Sequence, residues 1–315
     1  KPIMVSANAF TLSGLSAGTY SNFSITNNNC IGNDTTVKTL IDPALPNAGV
    51  ISGTLALCTG TVTSLTSNGV SGGIWSTGKP SVATINTGTG IATGIAPGSS
   101  TITYTVTLNG CTGSTTAVLT VDSVSVGGSI SGSIAVCAGT NSTILTLAGH
   151  VGTIQKWQSA LSADFSTAND IVDTTTSLTA INLTQTTYYR AVLQNGVCSP
   201  ANSLSATVSV NSIPTVSITG PTTIHIDSTT SVSPASGGTW QSNSITKATV
   251  TNVGIVKGVG VGTATFTFTQ TATGCSNTTN PITIISNGNP CDQAITLSSP
   301  ADDYSNGSVL KQTNL

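Results

Sequence analysis

GIWSTGKPSVATINTGTGIATGIAPGSSTITYTVTLNGC, residues Gly73 to Cys111, decides the fold, because the chain carries it twice. The second copy is GTWQSNSITKATVTNVGIVKGVGVGTATFTFTQTATGC, Gly238 to Cys275. Trp75 aligns with Trp240, and Ala83-Thr84-Ile85 with Ala248-Thr249-Val250. One residue then drops out. Beyond it Gly90-Ile91 matches Gly254-Ile255, Gly94 matches Gly258, Gly98 matches Gly262, and Gly110-Cys111 matches Gly274-Cys275. A repeat of this kind divides the 315 residues into units of roughly 75–90, each a small supersecondary assembly.

Composition fixes the class. Only 6% of residues are charged, all ten acids are Asp, and Arg190 is the single arginine. Good helix formers are nearly absent, while Thr, Ser, Val and Ile dominate, as pleated half-buried surfaces require. The expected fold is all-β: tandem Ig-like β-sandwich domains in an elongated array. The expected divisions are 1–43 (the C-terminal half of a domain), 44–124, 125–213, 214–286, and 287–315 (a linker and the start of a further domain). Pro43 to Pro46 reads as a linker. Asn109-Gly110 before Cys111 signals a two-residue hairpin, because both residues tolerate positive φ. Asn195-Gly196 takes the same place before Cys198.

Net charge is −2, with no basic patch to neutralise phosphate, so nucleic acid is excluded as a partner. No apolar run is long enough to span a membrane as a helix. The seven cysteines are widely spaced with no CxxC, which argues against zinc and for disulfides in an oxidising compartment. Cys58 and Cys137 each precede a Gly-Thr on an early strand; Cys111 and Cys198 each follow a late hairpin. One early and one late cysteine per unit predicts inter-sheet bridges Cys58–Cys111 and Cys137–Cys198, each worth roughly 4 kcal/mol in the chain-entropy model. His225 falls where Cys58 stands, so Cys275 is expected unpaired or joined to Cys291.

The motifs resemble the bacterial Ig-like domain of group 2. The matching residues are Trp75-Ser76, Val82-Ala83-Thr84-Ile85, Gly90-Ile91-Ala92-Thr93-Gly94, Gly98 and Ile102; the second copy departs at Gln241 and Lys257. Gly14 to Tyr20 with Asn29-Cys30 resembles repeats of gliding-motility surface adhesins of Bacteroidetes. The resemblance implies a secreted cell-surface protein exported by the type IX system, acting as a structural or adhesive stalk or filament segment. Its implied partners are neighbouring domains of a longer chain; the scarcity of charge at sheet edges adds further copies of itself, and the alternative, carbohydrate-binding reading adds surface glycans.

Nothing assembles a catalytic site, and no enzyme is expected. There is no Glu for a carboxylate pair, and neither His150 nor His225 lies near a nucleophile motif. The Gly-rich runs Gly88–Gly94 and Gly258–Gly262 open no helix, so they read as turns or bulges rather than phosphate cradles. Asp164, Asp170 and Asp173, in one polar loop, are the candidate Ca²⁺ ligands, with Asp302-Asp303 a weaker pair; no other cofactor is indicated. Thr35, Ser123, Thr174 and Ser228 follow Asp in a pattern that resembles the Bacteroidetes O-glycosylation motif. Trp75, Trp157 and Trp240, one per unit, are expected in cores. A carbohydrate-binding accessory region, or a subunit polymerising by strand exchange, is the alternative reading.

Overall fold

The computed structural model describes residues 14–27, 30–41 and 44–288. They hold β-strands, turns and bends and no helix, so the chain is all-β. Cys291, Asp302 and Asp303 lie outside the described residues, as does the side chain of Cys30. The chain divides into two compact units. The first is Lys1–Gly132 with Leu145–Leu178 and Tyr188–Ala206; the second is Ser133–Ile144 with Thr179–Thr187 and Thr207–Leu315.

In the first unit an Ig-like sandwich closes around Trp75. One sheet runs Ala56–Cys58, Cys111–Asp122, Gly98–Leu108, Ile74–Thr77; the facing sheet runs Ala83–Ile85, Ile91–Gly94, Val62–Ser64. The strand Gly98–Leu108 shows why a Thr-rich sequence can do this. Its side chains alternate, sending Ser100, Ile102, Tyr104 and Val106 inward and threonines outward. Trp75 meets the Tyr104 ring at 4.7 Å, while Ala83 and Ala92 face them from the opposite sheet, fully buried. Asn109 and Gly110 have φ of 52° and 82°, and Leu108 pairs with Cys111, which is the two-residue hairpin that the Asn-Gly pair calls for.

The second unit repeats the plan around Trp240, which meets Phe268 at 5.1 Å. Here the long hairpin is broken. Gly262–Ala264 and Phe266–Gln270 replace one strand, and Ser276–Thr278 and Ile282–Ile285 replace its partner. Pro281 supplies no N–H to a ladder, and the break falls beside it. The two copies share small details. Thr77 Oγ1 donates to the Ala83 carbonyl at 3.0 Å, and Ser242 Oγ to the Ala248 carbonyl at 2.6 Å. Gly90 and Gly254 both have positive φ, and an added Cβ would strike the carbonyl oxygens of Leu65 and Val232. The repeated glycines are therefore turn and close-approach positions.

In both copies a short first strand runs parallel to the end of the last one. Cys58 pairs with Asp122, and His225 pairs with Ile285. A third such pairing places Cys137 beside Asn211. His225 thus stands at the position that Cys58 and Cys137 occupy, as the alignment of the repeats predicts.

The expected disulfides are overturned. Cys58 bonds Cys198, and Cys137 bonds Cys275. Neither Cys58–Cys111 nor Cys137–Cys198 forms, and Cys275 is neither unpaired nor joined to Cys291. For Cys58 and Cys111 the reason is strand length. Cys111 opens a twelve-residue strand that ends at Asp122, and Cys58 pairs with that far end. At about 3.3 Å per residue the two cysteines sit roughly 35 Å apart along the sandwich, whereas a disulfide needs Cα atoms within about 7 Å.

Candidate functional site

The position that brings Cys58 to the end of its own sandwich brings it to the next stretch of chain. The linker after the strand Cys111–Asp122 is Ser123-Val124-Ser125. The tip Asn195-Gly196-Val197-Cys198 is seated on it. Asn195 Nδ2 donates to both the carbonyl and the Oγ of Ser123 at 2.8 Å, and the Asn195 backbone N–H donates to Ser125 Oγ at 2.9 Å. The Val197 N–H donates to Asp122 Oδ2 at 3.0 Å. Gly196 leaves no room at this point: a Cβ there would lie 1.8 Å from Asp122 Oδ2. The Asn195 and Val197 donors of the tip are thus taken by oxygens of Asp122, Ser123 and Ser125, and the Cys58–Cys198 bond fastens the arrangement.

Asn195-Gly196 therefore differs from the tight hairpin that the sequence suggests. Gly196 has φ of 50°, Asn195 does not share it, and the Cys198 N–H donates back to the Asn195 carbonyl. The Asn side chain is spent on the linker instead of on the turn. Sequence reasoning singled out Ser123 only for a glycosylation pattern after Asp122, read Asn195 only as a turn residue, and missed Ser125. The pairing of a hairpin tip with a linker many residues away leaves no local signal.

Beside this joint lies an open cleft of about 560 Å³, lined by Leu57, Cys58, Val124, Val197, Cys198 and Pro200 among others. Cys198 is buried while Cys58 is half-buried, so the bond is reached by solvent from the Cys58 side. In the second unit Cys137 is fixed in a comparable way. The Asn141 Nδ2 group donates to the carbonyls of Cys137 and Leu183, both at 2.7 Å, and the Leu183 N–H donates to its Oδ1. Asn277 Nδ2 donates to the Pro214 carbonyl at 3.0 Å, two residues after Cys275.

The three loop aspartates are not brought together. No group of three or more His, Cys, Asp or Glu side chains able to hold a metal occurs among the described residues. Each carboxylate is used locally. Asp164 accepts hydrogen bonds from Ser162 Oγ and from the N–H and Oγ of Ser166, which lower its pKa to about 2. Asp170 is held below the ordinary carboxylate range by Lys156, then Gln158. Asp173 is lowered by the Thr175 N–H and hydroxyl. Arg190, whose Nε donates to Gln158, stacks over the Phe165 ring at 4.3 Å. This is a surface network that orders a loop.

Of the glycosylation candidates, Thr35, Thr174 and Ser228 are exposed, whereas Ser123 is half-buried in the joint. The three Trp residues are 0–6% exposed, and the Trp157 and Trp240 indole N–H groups donate to the carbonyls of Thr175 and Pro234. His150 is half-buried; His225 is exposed, with Nδ1 2.9 Å from the Ser286 carbonyl oxygen.

One protein family matches, over residues 126–212, described as Domain of unknown function (DUF8696). No curated protein matches the chain. Among solved structures, a three-Ig fragment of titin, domains I67–I69, is 13% identical, covers 78% of this chain and 97% of its own, and has a TM-score of 0.40. Invasin, described as a bacterial integrin-binding protein, is 13% identical over 80% of this chain and 62% of its own, with a TM-score of 0.40. Immunoglobulin domains 1–5 of Sidekick-1 are 12% identical over 88% of this chain and 67% of their own, with a TM-score of 0.26.

Proposed function

We propose that this chain is a non-catalytic structural segment, a stalk or filament portion of a secreted cell-surface protein. The observation that carries the reading is the Asp122–Ser125 joint. Its polar groups and its disulfide are all consumed in fixing one stretch of chain to the next, which is what a spacer requires and a catalytic centre does not. Disulfides of this kind belong to an oxidising compartment, and no helix among the described residues is long and apolar enough to cross a membrane. The resemblance of the Gly14–Cys30 and Gly73–Cys111 motifs supports the finer reading, a Bacteroidetes surface protein exported by the type IX system. Its proposed partners are neighbouring domains of the same longer chain and further copies of itself. Self-association has a physical basis: with 6% charged residues the chain has few of the lysines that usually block pairing at sheet edges.

A carbohydrate-binding accessory role is the weaker reading, because the Trp residues that would stack on sugar are used in the cores. The deciding experiment is a glycan array together with a panel of glycosidase and esterase substrates, run on the purified chain. The expected outcome is no turnover and no glycan bound more tightly than about 1 mM. Turnover, or micromolar binding abolished by a surface substitution, would overturn the spacer reading.

A further inference from the structure

The two bridges interlace. In chain order the four cysteines run Cys58, Cys137, Cys198, Cys275, and the bonds join the first to the third and the second to the fourth. Each bond spans nearly the same length of chain, with sequence separations of 140 and 138. Each joins a cysteine that ends a short parallel strand to one that follows a hairpin or turn in the next repeat. We propose that this arrangement is a length stop, a covalent bypass that limits how far the chain can be drawn out when its sandwiches unfold. The proposal rests on the spacer reading, since only a chain under tension has use for it.

The argument is one of shortest covalent path. Without bridges, tension between Cys58 and Cys275 can draw out roughly 220 residues, about 750 Å when extended. With both bonds closed, the path crosses from Cys58 to Cys198, returns along the chain to Cys137, and crosses to Cys275. Only the backbone between Cys137 and Cys198 lies under tension, roughly 60 residues or about 200 Å. Opening either bond alone gains little, because the surviving bond still bypasses most of the chain. The path lengthens to roughly 80 residues, a gain of about 60 Å. Opening both releases about 500 Å. Two bridges in series, Cys58–Cys111 and Cys137–Cys198, would behave differently: each would release its own loop, and the gains would add.

The bypass has a defined end. At the third equivalent position the strand Thr223–His225 carries His225, which can form no such bond. Chain beyond Cys275 is therefore outside the stop. The half-buried Cys58 sulfur faces an open cleft, so a small dithiol can attack there. The reductant is oxidised to its own disulfide, and the released Cys58 and Cys198 sulfurs each take up a proton.

The experiment holds the chain by its two ends in a single-molecule force instrument and measures total contour gain. The wild-type chain is compared without and with dithiothreitol, alongside Cys58→Ser/Cys198→Ser, Cys137→Ser/Cys275→Ser and the fourfold variant. The expected gains over oxidised wild type are about 60 Å for each double variant and about 500 Å for the fourfold variant and for reduced wild type. Equal extension of oxidised and reduced wild type, or additive gains in the two double variants, would overturn the proposal. Reduction of the wild-type chain serves even where a Ser variant folds poorly. Non-reducing peptide mapping must return peptides joining Cys58 to Cys198. The glycan and substrate panel is a separate readout, so failure of the spacer reading and failure of the length stop are told apart.

Discussion

Asn195 shows how much one side chain contributes to this molecule. Its amide closes two hydrogen bonds to Ser123 and its backbone a third to Ser125. Asn195→Ala removes the two side-chain bonds and is expected to weaken the joint by about 1–2 kcal/mol. Limited proteolysis should then cut at Ser123–Val124 several-fold faster, with the melting of the Trp75 core unchanged. A second residue carries a pH dependence. The Asp164 carboxyl is held at about 2, chiefly by Ser162, against 3.8 for an ordinary aspartate. Its folded pKa is depressed, so its stabilising contribution is present above about pH 4 and is lost as pH falls towards 2. Asp164→Asn should therefore melt below wild type at neutral pH, and the gap should shrink between about pH 4 and 2 and close below about pH 2. A difference that persists there would assign the effect to something other than ionisation.

At the scale of strands and turns, the repeat carries its own instructions. Gly254 has φ of 81°, and a Cβ would lie 2.2 Å from the Val232 carbonyl oxygen. Gly237 has φ of 85° but open space around it. Gly254→Ala is expected to cost about 2–3 kcal/mol and Gly237→Ala about 1 kcal/mol, read from urea midpoints at constant m value. These turns were legible in the sequence because their causes are local. Trp75 and Trp240, the Ala-Thr pairs, and Gly110-Cys111 with Gly274-Cys275 recur at fixed spacing, and strand alternation places each on a face. The cysteine partners were not legible. Pairing early with late cysteines assumed that both lay at one level of the sandwich. The uninterrupted alternation from Cys111 to Asp122 holds the correction, since a strand that long separates its ends by more than a disulfide can reach. The seating of Asn195 on Ser123 and Ser125 has no periodic signature at all, because it joins a turn to a linker some 70 residues back along the chain.

For the whole molecule, the order in which the cysteines emerge during synthesis sets a problem that the geometry resolves. Among the cysteines that follow it, Cys58 meets Cys111 first and Cys137 next, while its native partner Cys198 comes third. In an unstructured chain the nearer thiols would compete strongly, since loop closure favours short separations. Once the strand Cys111–Asp122 has formed, Cys111 is carried to the far end of the sandwich and that competition ends. Where folding runs ahead of oxidation, Cys58 stays a thiol until the Asn195 tip of the following repeat arrives. A cell that makes this protein needs either delayed oxidation or an enzyme that reshuffles early, wrong disulfides. The long strand thus acts as a timing device as well as a wall of the core.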